Sequence, residues 1–166
     1  ATRPILVMQL AKAAAEGRVA REKAITRVLP ELAGARDLGK LSLQRLLDGR
    51  TGLQWSDADI TRWQQEAGWA QGGNGGVRAW LGARPSWPRT SDDSVSDLAG
   101  PEGELLLWAV EKAWKKPAPE LLCDLQASIR SRSPAFWATD ATGRPLADGL
   151  ALSLSDFASL GQAFLD

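Results

Sequence analysis

Residues 100–116 read GPEGELLLWAVEKAWKK, and this stretch decides the fold. Pro101 suits the first position of a helix, and Glu102 and Glu104 place negative charge at the positive end of the helix dipole. Residues 105–110 are all apolar. A helix that is apolar on nearly every side for two turns has to be buried. We therefore expect this helix to form the centre of the core.

Helical patterns fill most of the rest of the chain. Apolar residues recur at helical spacing in five further segments and in a last helix capped by Ser155; the five cover 3–16, 19–29, 38–47, 56–67 and 120–131. Between Ala135 and Leu154 the pattern changes to alternation around a turn near Asp140 and Gly143, which predicts a β-hairpin. The fold class predicted is mainly α: a multi-helix bundle with one small β-hairpin near the C-terminus.

Two stretches of loop-forming composition predict the domain organisation. Residues 71–76 read QGGNGG, and residues 84–97 are rich in Pro, Ser, Thr and Asp. Such compositions favour linkers and extended connections. The sequence therefore predicts an N-terminal helical subdomain at 1–70, a Gly/Pro/Ser-rich connection at 71–99, and a C-terminal helical subdomain with the hairpin at 100–166.

Charge is balanced overall but uneven along the chain. Twenty Lys and Arg face twenty Asp and Glu, yet residues 1–50 carry ten basic and five acidic groups. A basic helical surface can contact phosphates, so one alternative is a nucleic-acid-binding regulatory protein. Its candidate contact residues are Arg18, Arg21, Lys23, Arg27, Arg36, Lys40, Gln44, Arg45 and Arg50.

The residue types argue against catalysis. There is no histidine, and histidine is both the commonest general base and the commonest metal ligand. We therefore predict no catalytic residues, no metal site and no cofactor. A Mg²⁺-dependent enzyme is a further alternative, because carboxylates occur in close pairs; these are Asp57 with Asp59, Asp92 with Asp93, and Glu102 with Glu104.

Eight tryptophans in 166 residues supply the leading hypothesis. Trp80 and Trp87 lie in loop-like sequence, and Trp55 and Trp69 lie near helix ends. Exposed indole rings are typical of protein interfaces. The sequence thus predicts a non-catalytic protein–protein interaction module, such as an adaptor, a chaperone or an assembly component, with these four tryptophans as partner-binding candidates.

Cys123 is the only cysteine, so no disulfide within the chain is possible. No apolar run approaches the roughly 18–20 residues that span a bilayer. Together these features predict a cytoplasmic protein without membrane contact.

Overall fold

The computed structural model describes residues 2–73, 75–84, 86–90 and 100–163. These residues form eight α-helices, two short 3-10 helices and one two-stranded antiparallel sheet, which confirms the predicted fold class. The helices are α1 (Thr2–Ala15), α2 (Ile25–Val28), α3 (Leu43–Leu47), α4 (Asp57–Glu66), α5 (Val77–Gly82), α6 (Pro101–Trp114), α7 (Ala118–Ser128) and α8 (Leu154–Ala163); the 3-10 helices are Pro30–Leu32 and Arg36–Lys40; the strands are β1 (Phe136–Thr139) and β2 (Pro145–Ala151).

Helix α6 lies at the centre of the core, as its sequence predicts. All ten residues from Pro101 to Val110 are buried, including both glutamates of its first turn. Helices α1, α2, α3, α5 and α7 and strand β2 pack around it. The helix ends at Lys115, which has a left-handed backbone (φ 54°) and donates its N–H to the carbonyl of Glu111.

The hairpin forms where alternation predicted it. Phe136 pairs with Ala151 and Trp137 with Leu150, and a register shift follows before Thr139 pairs with Pro145. The turn is closed by Asp140, whose side chain accepts N–H groups from Thr142 and Arg144. Strand β2 packs its buried residues against α1 and α6.

Two predicted helices are shorter in the structure than in the sequence pattern. The segment 19–29 is helical only in α2, and the segment 38–47 divides into a 3-10 helix and α3. The reason is backbone pairing between the two segments. Leu43 donates its N–H to the carbonyl of Lys23, and Ile25 donates to Leu41, so Ala24 forms a β-bridge with Ser42 and the helix begins only at Ile25.

Helix α4 begins with the capping box that the sequence indicates: Ser56 accepts the N–H of Asp59, and the Asp59 carboxylate accepts the N–H of Ser56. Glycines follow where the chain turns back. A Cβ on Gly73 would lie 1.9 Å from the carbonyl oxygen of Gln65, so only glycine fits there. The division into subdomains at 1–70 and 100–166 stays a prediction; one apolar cluster contains residues of both segments.

Among the described residues, no helix has the length and apolar character needed to cross a membrane.

The burial of α6 generates a stability prediction. Leu106 is fully buried and Leu154 is 84% exposed, and both lie in helices. We expect Leu106→Ala to lower the free energy of unfolding by about 2–5 kcal/mol, because it removes core contacts and leaves a cavity. Leu154→Ala should change it by less than about 0.5 kcal/mol. Urea unfolding of both variants measures the difference, and equal effects would contradict the central position of α6.

Candidate functional site

A group of buried and half-buried polar residues lies where α1, α6 and β2 meet. It joins the first turns of α1 and α6 to the middle of β2 and to the turn before Leu53. We call this group the polar junction, and it consists of Thr2, Arg3, Thr51, Gly100, Glu102, Glu104 and Asp148.

Asp148 connects the starts of the two core helices. One carboxylate oxygen accepts Nε of Arg3 at 3.1 Å, and the other accepts the N–H of Gly100 at 3.2 Å. Gly100 has a positive φ of 60° and precedes α6, so its N–H is directed away from the helix. Thr2 adds a further tie, since its hydroxyl accepts the N–H of Leu150. The relative positions of α1, α6 and β2 are thus fixed by directed hydrogen bonds.

Glu102 attaches the turn at residues 51–53 to the start of α6. The Thr51 hydroxyl donates to Oε1 of Glu102, and it also accepts the N–H of Leu53. Both side chains of the pair are at most 3% exposed. Buried polar groups without partners are costly, so this hydrogen bond offsets the desolvation of Glu102.

Glu104 is a group in the polar junction with an altered acidity. Its Oε1 accepts the N–H of Ala147 at 2.8 Å, which holds β2 against α6. Burial raises the pKa of Glu104 to about 8, and the nearby Asp148 carboxylate adds to the increase. At neutral pH the group is mostly protonated. A buried acid that titrates close to neutral pH is a feature of functional sites.

Three of the four tryptophans predicted to bind a partner lie close together: Trp55, Trp80 and Trp87. Trp55 lies 6.3 Å from Trp80 and 5.6 Å from Trp87, measured between ring centroids. The guanidinium of Arg84 stands over all three rings, at 4.9–5.6 Å from their centroids. We call these four residues the tryptophan cluster.

An ion pair fixes the arginine in the tryptophan cluster. Both terminal nitrogens of Arg84 contact the carboxylate of Asp59. The hydrogen bond from Arg84 lowers the pKa of Asp59 to about 2, with support from the capping contacts of Ser56. The pair therefore stays charged at neutral pH.

Trp69, the fourth partner-binding candidate, lies elsewhere. Its ring packs edge to face on Trp63 with centroids 4.8 Å apart, and the side chain is 48% exposed. Trp63 in turn contacts the position of Gly100, at the edge of the polar junction. A partner-binding role for Trp55, Trp69, Trp80 and Trp87 stays a prediction.

The nine basic and polar candidates for nucleic-acid contact lie in different local environments. Arg18, Lys23 and Arg27 line a groove of about 640 Å³ together with Lys112. Several others are engaged locally: Gln44 donates to Asp48, and Arg21 contacts the carbonyl of Ala11. Of the remaining candidates, Arg36, Lys40 and Arg50 are exposed and Arg45 is half-buried. Nucleic-acid contacts by any of these nine residues stay a prediction.

The carboxylate pairs are used in different ways. Asp59 is part of the helix cap and the Arg84 ion pair, while Glu102 and Glu104 are buried in the polar junction. Asp92 and Asp93 lie outside the described residues. In the described part of the chain, no group of three or more His, Cys, Asp or Glu could hold a metal ion.

Comparison with known proteins reveals the fold. No family model and no curated protein matches the sequence. A solved protein named as a 6-aminohexanoate-dimer hydrolase from Bacillus anthracis superposes with a TM-score of 0.76 over 96% of this chain, at 21% identity. A class C β-lactamase from Rhodobacter sphaeroides superposes with a TM-score of 0.55 over 95% of this chain, at 20% identity. The chain covers 45% and 48% of those two chains.

These similarities correct the functional prediction. The prediction of a non-catalytic interaction module is wrong, because the chain has the fold of part of two hydrolases. The prediction that it is not an enzyme is wrong for the same reason.

Sequence reasoning also missed the polar junction. Its members come from positions 2–3, 51, 100–104 and 148, so nothing in local spacing brings them together. One signal was present: two glutamates precede a run of six apolar residues in the predicted core helix. Charged side chains in the first turn of a fully buried helix require buried partners.

The contact between Thr51 and Glu102 yields a prediction. Thr51→Val keeps the side-chain shape but removes the hydroxyl, so one donor to the buried carboxylate is lost. We expect the free energy of unfolding to fall by about 1–3 kcal/mol. Thr61→Val, at an exposed position of α4, is the matched control and should be nearly neutral. Denaturant unfolding distinguishes the two, and an unchanged Thr51→Val would show that the hydrogen bond is not needed.

The acidity of Glu104 predicts how stability depends on pH. Its pKa is about 8 in the folded state against 4.5 for an ordinary glutamate, so between these values the folded state binds more protons than the unfolded state. The contribution of Glu104 to the free energy of unfolding is therefore fully present below pH 4.5 and is lost as the pH rises through 8.

Glu104→Gln tests this sign. The amide stays uncharged and can still accept the N–H of Ala147, so its unfolding free energy should not show this fall. From pH 5 to pH 9, we expect the free energy of unfolding of the variant to rise relative to that of the wild type by about a few kcal/mol. Glu120→Gln, at an exposed position of α7, should follow the wild type. Parallel curves for Glu104→Gln and the wild type would contradict the raised pKa.

Proposed function

We propose that this chain is the helical part of a hydrolase that cleaves amide bonds. The observation that carries the proposal is the superposition on the 6-aminohexanoate-dimer hydrolase over 96% of the chain. The names of both compared proteins refer to amides, since a dimer of an amino acid is joined by an amide and a β-lactam is a cyclic amide. Amide hydrolysis is therefore the reaction class that the two similarities have in common.

The polar junction supplies the part of the site that this chain can build. Asp148 holds the starts of α1 and α6 in register, and Glu104 holds β2 against α6. Rate enhancement depends on placing reacting groups to within about 1 Å, and rigid, hydrogen-bonded elements provide that placement. We assign positioning roles to Asp148 and Glu104.

The nucleophile is assigned to sequence outside these 166 residues. In class A β-lactamases the attacking serine lies in an S-x-x-K motif, accompanied by S-D-N and K-T-G motifs. None of the three motifs occurs in this sequence. The chain spans less than half of the length of either compared hydrolase, so the proposal leaves the reactive groups to the remainder of the enzyme.

We also propose a cytoplasmic location. The single cysteine, Cys123, is exposed and free, and an unpaired surface thiol suits a reducing compartment. Cell fractionation with an antibody to the protein measures this directly, and recovery outside the cytoplasmic fraction would contradict it.

Hydrolysis is tested on the native polypeptide that contains these 166 residues. A chromogenic cephalosporin and the linear dimer of 6-aminohexanoate serve as substrates, followed by absorbance and by amine release. We expect turnover of at least one of them. Asp148→Ala should lower kcat by about tenfold or more with little change in KM, because it releases the starts of α1 and α6 from each other.

Asp124→Ala is the matched control, since Asp124 is exposed on α7 and pairs only with Lys116 near the surface. It should leave kcat unchanged. No turnover of either amide by the folded native polypeptide would refute amide hydrolysis. A loss confined to KM in Asp148→Ala would refute the positioning role but leave the reaction class intact.

A further inference from the structure

The tryptophan cluster borders a cavity that the polar junction does not share. The cavity has a volume of about 680 Å³. Its walls combine two indole rings with a few neutral polar groups, and the residues that matter here are Gln54, Trp55, Ser56, Trp80, Ser86 and Pro88. Binding sites for small molecules are clefts of about 300–1,000 Å³ with aromatic walls and a small number of polar groups.

The two rings are accessible to a ligand. Trp55 and Trp80 are half-buried, whereas Trp87 is buried behind Trp55 and meets it edge to face at 78°. The planes of Trp55 and Trp80 are inclined by 39°, with ring centroids 6.3 Å apart. These two side chains therefore contribute aromatic surface to the cavity wall, and Trp87 supports Trp55 from inside.

The wall is held in place without a ligand. Gln54 donates its N–H to the carbonyl of Pro88 at 3.0 Å, so the segments on the two sides of the cavity are hydrogen-bonded to each other. Trp87 is fixed by its N–H to Asp37 at 2.9 Å. A site that is already formed costs little ordering on binding.

Charge selects among ligands. Arg84 and Asp59 also line the cavity, but each neutralises the other, and the Arg84 side chain is only 8% exposed. The cation that could stack on the indole rings is thus already supplied by the protein. A ligand in the cavity can therefore contact aromatic surface, the Gln54 amide and the Ser86 hydroxyl. Both of these polar groups are neutral.

We propose that this cavity is a binding site for small uncharged planar aromatic compounds, separate from the polar junction and independent of the proposed hydrolysis. The ligand ring packs on Trp55 and Trp80, and a polar substituent reaches Gln54 or Ser86. Ring packing of this kind contributes beyond the buried area, by about 0.5–1.5 kcal/mol per pair.

Nuclear magnetic resonance tests the site, because each tryptophan gives one indole N–H signal in the ¹⁵N-labelled native polypeptide that contains these 166 residues. The probes are indole, indole-3-acetate and tryptamine, which share a ring and differ in charge. We expect indole to shift the Trp55 and Trp80 signals to saturation and to leave Trp114 and Trp137 unchanged. Indole-3-acetate and tryptamine should bind more weakly than indole.

Ala83→Trp places a large ring in the cavity and should abolish the saturable shift. Ala83 is exposed and lines the cavity at the end of α5, so the change does not disturb the core. Ala127→Trp, at an exposed position of α7, is the matched control and should bind as the wild type does. Shifts spread over all tryptophans, binding that survives in Ala83→Trp, or preference for either charged probe would overturn the proposal. Substrate turnover is not part of this experiment, so its result does not depend on the hydrolysis assay.

Discussion

Burial of the first turn of α6 is the constraint on which the rest of the structure depends. A helix with six consecutive apolar residues must be covered on every side, and covering it also takes Glu102 and Glu104 out of water. Each carboxyl group then needs a partner from another part of the chain. Thr51 and the Ala147 backbone provide those partners, so the turn at residue 51 and strand β2 are drawn to the same end of α6.

The two glutamates also show how similar residues in one turn acquire different chemistry. Glu102 receives a hydroxyl donor from Thr51, whereas Glu104 receives a backbone N–H and faces the negative charge of Asp148. A neighbouring negative charge disfavours ionisation, and burial acts in the same direction. Glu104 is therefore held mostly neutral at pH 7 while it remains a hydrogen-bond acceptor for β2.

The sequence was sufficient for elements whose signals are local. The start of α6, the capping box at Ser56 and the turn at Asp140 each depend on residues within a few positions of one another, and all three are found in the structure. Local sequence patterns did not predict the contacts between distant positions. The bridge between Ala24 and Ser42 shortened two helices, and in the polar junction the contact between Arg3 and Asp148 joins residues 145 positions apart.

The error about function has a related physical cause. Absence of histidine removes the commonest general base, but acyl transfer can also use a serine with a lysine, or a carboxyl group with a shifted pKa. Composition therefore excluded one mechanism and not the reaction class. Glu104 shows the limitation: as a free glutamate it would be ionised at pH 7 and indistinguishable from surface acids, and its altered acidity arises only when α6 is buried and β2 is packed upon it. Chemistry of this kind is a property of the assembled fold, so it can be inferred only after the partners of each buried charge are known.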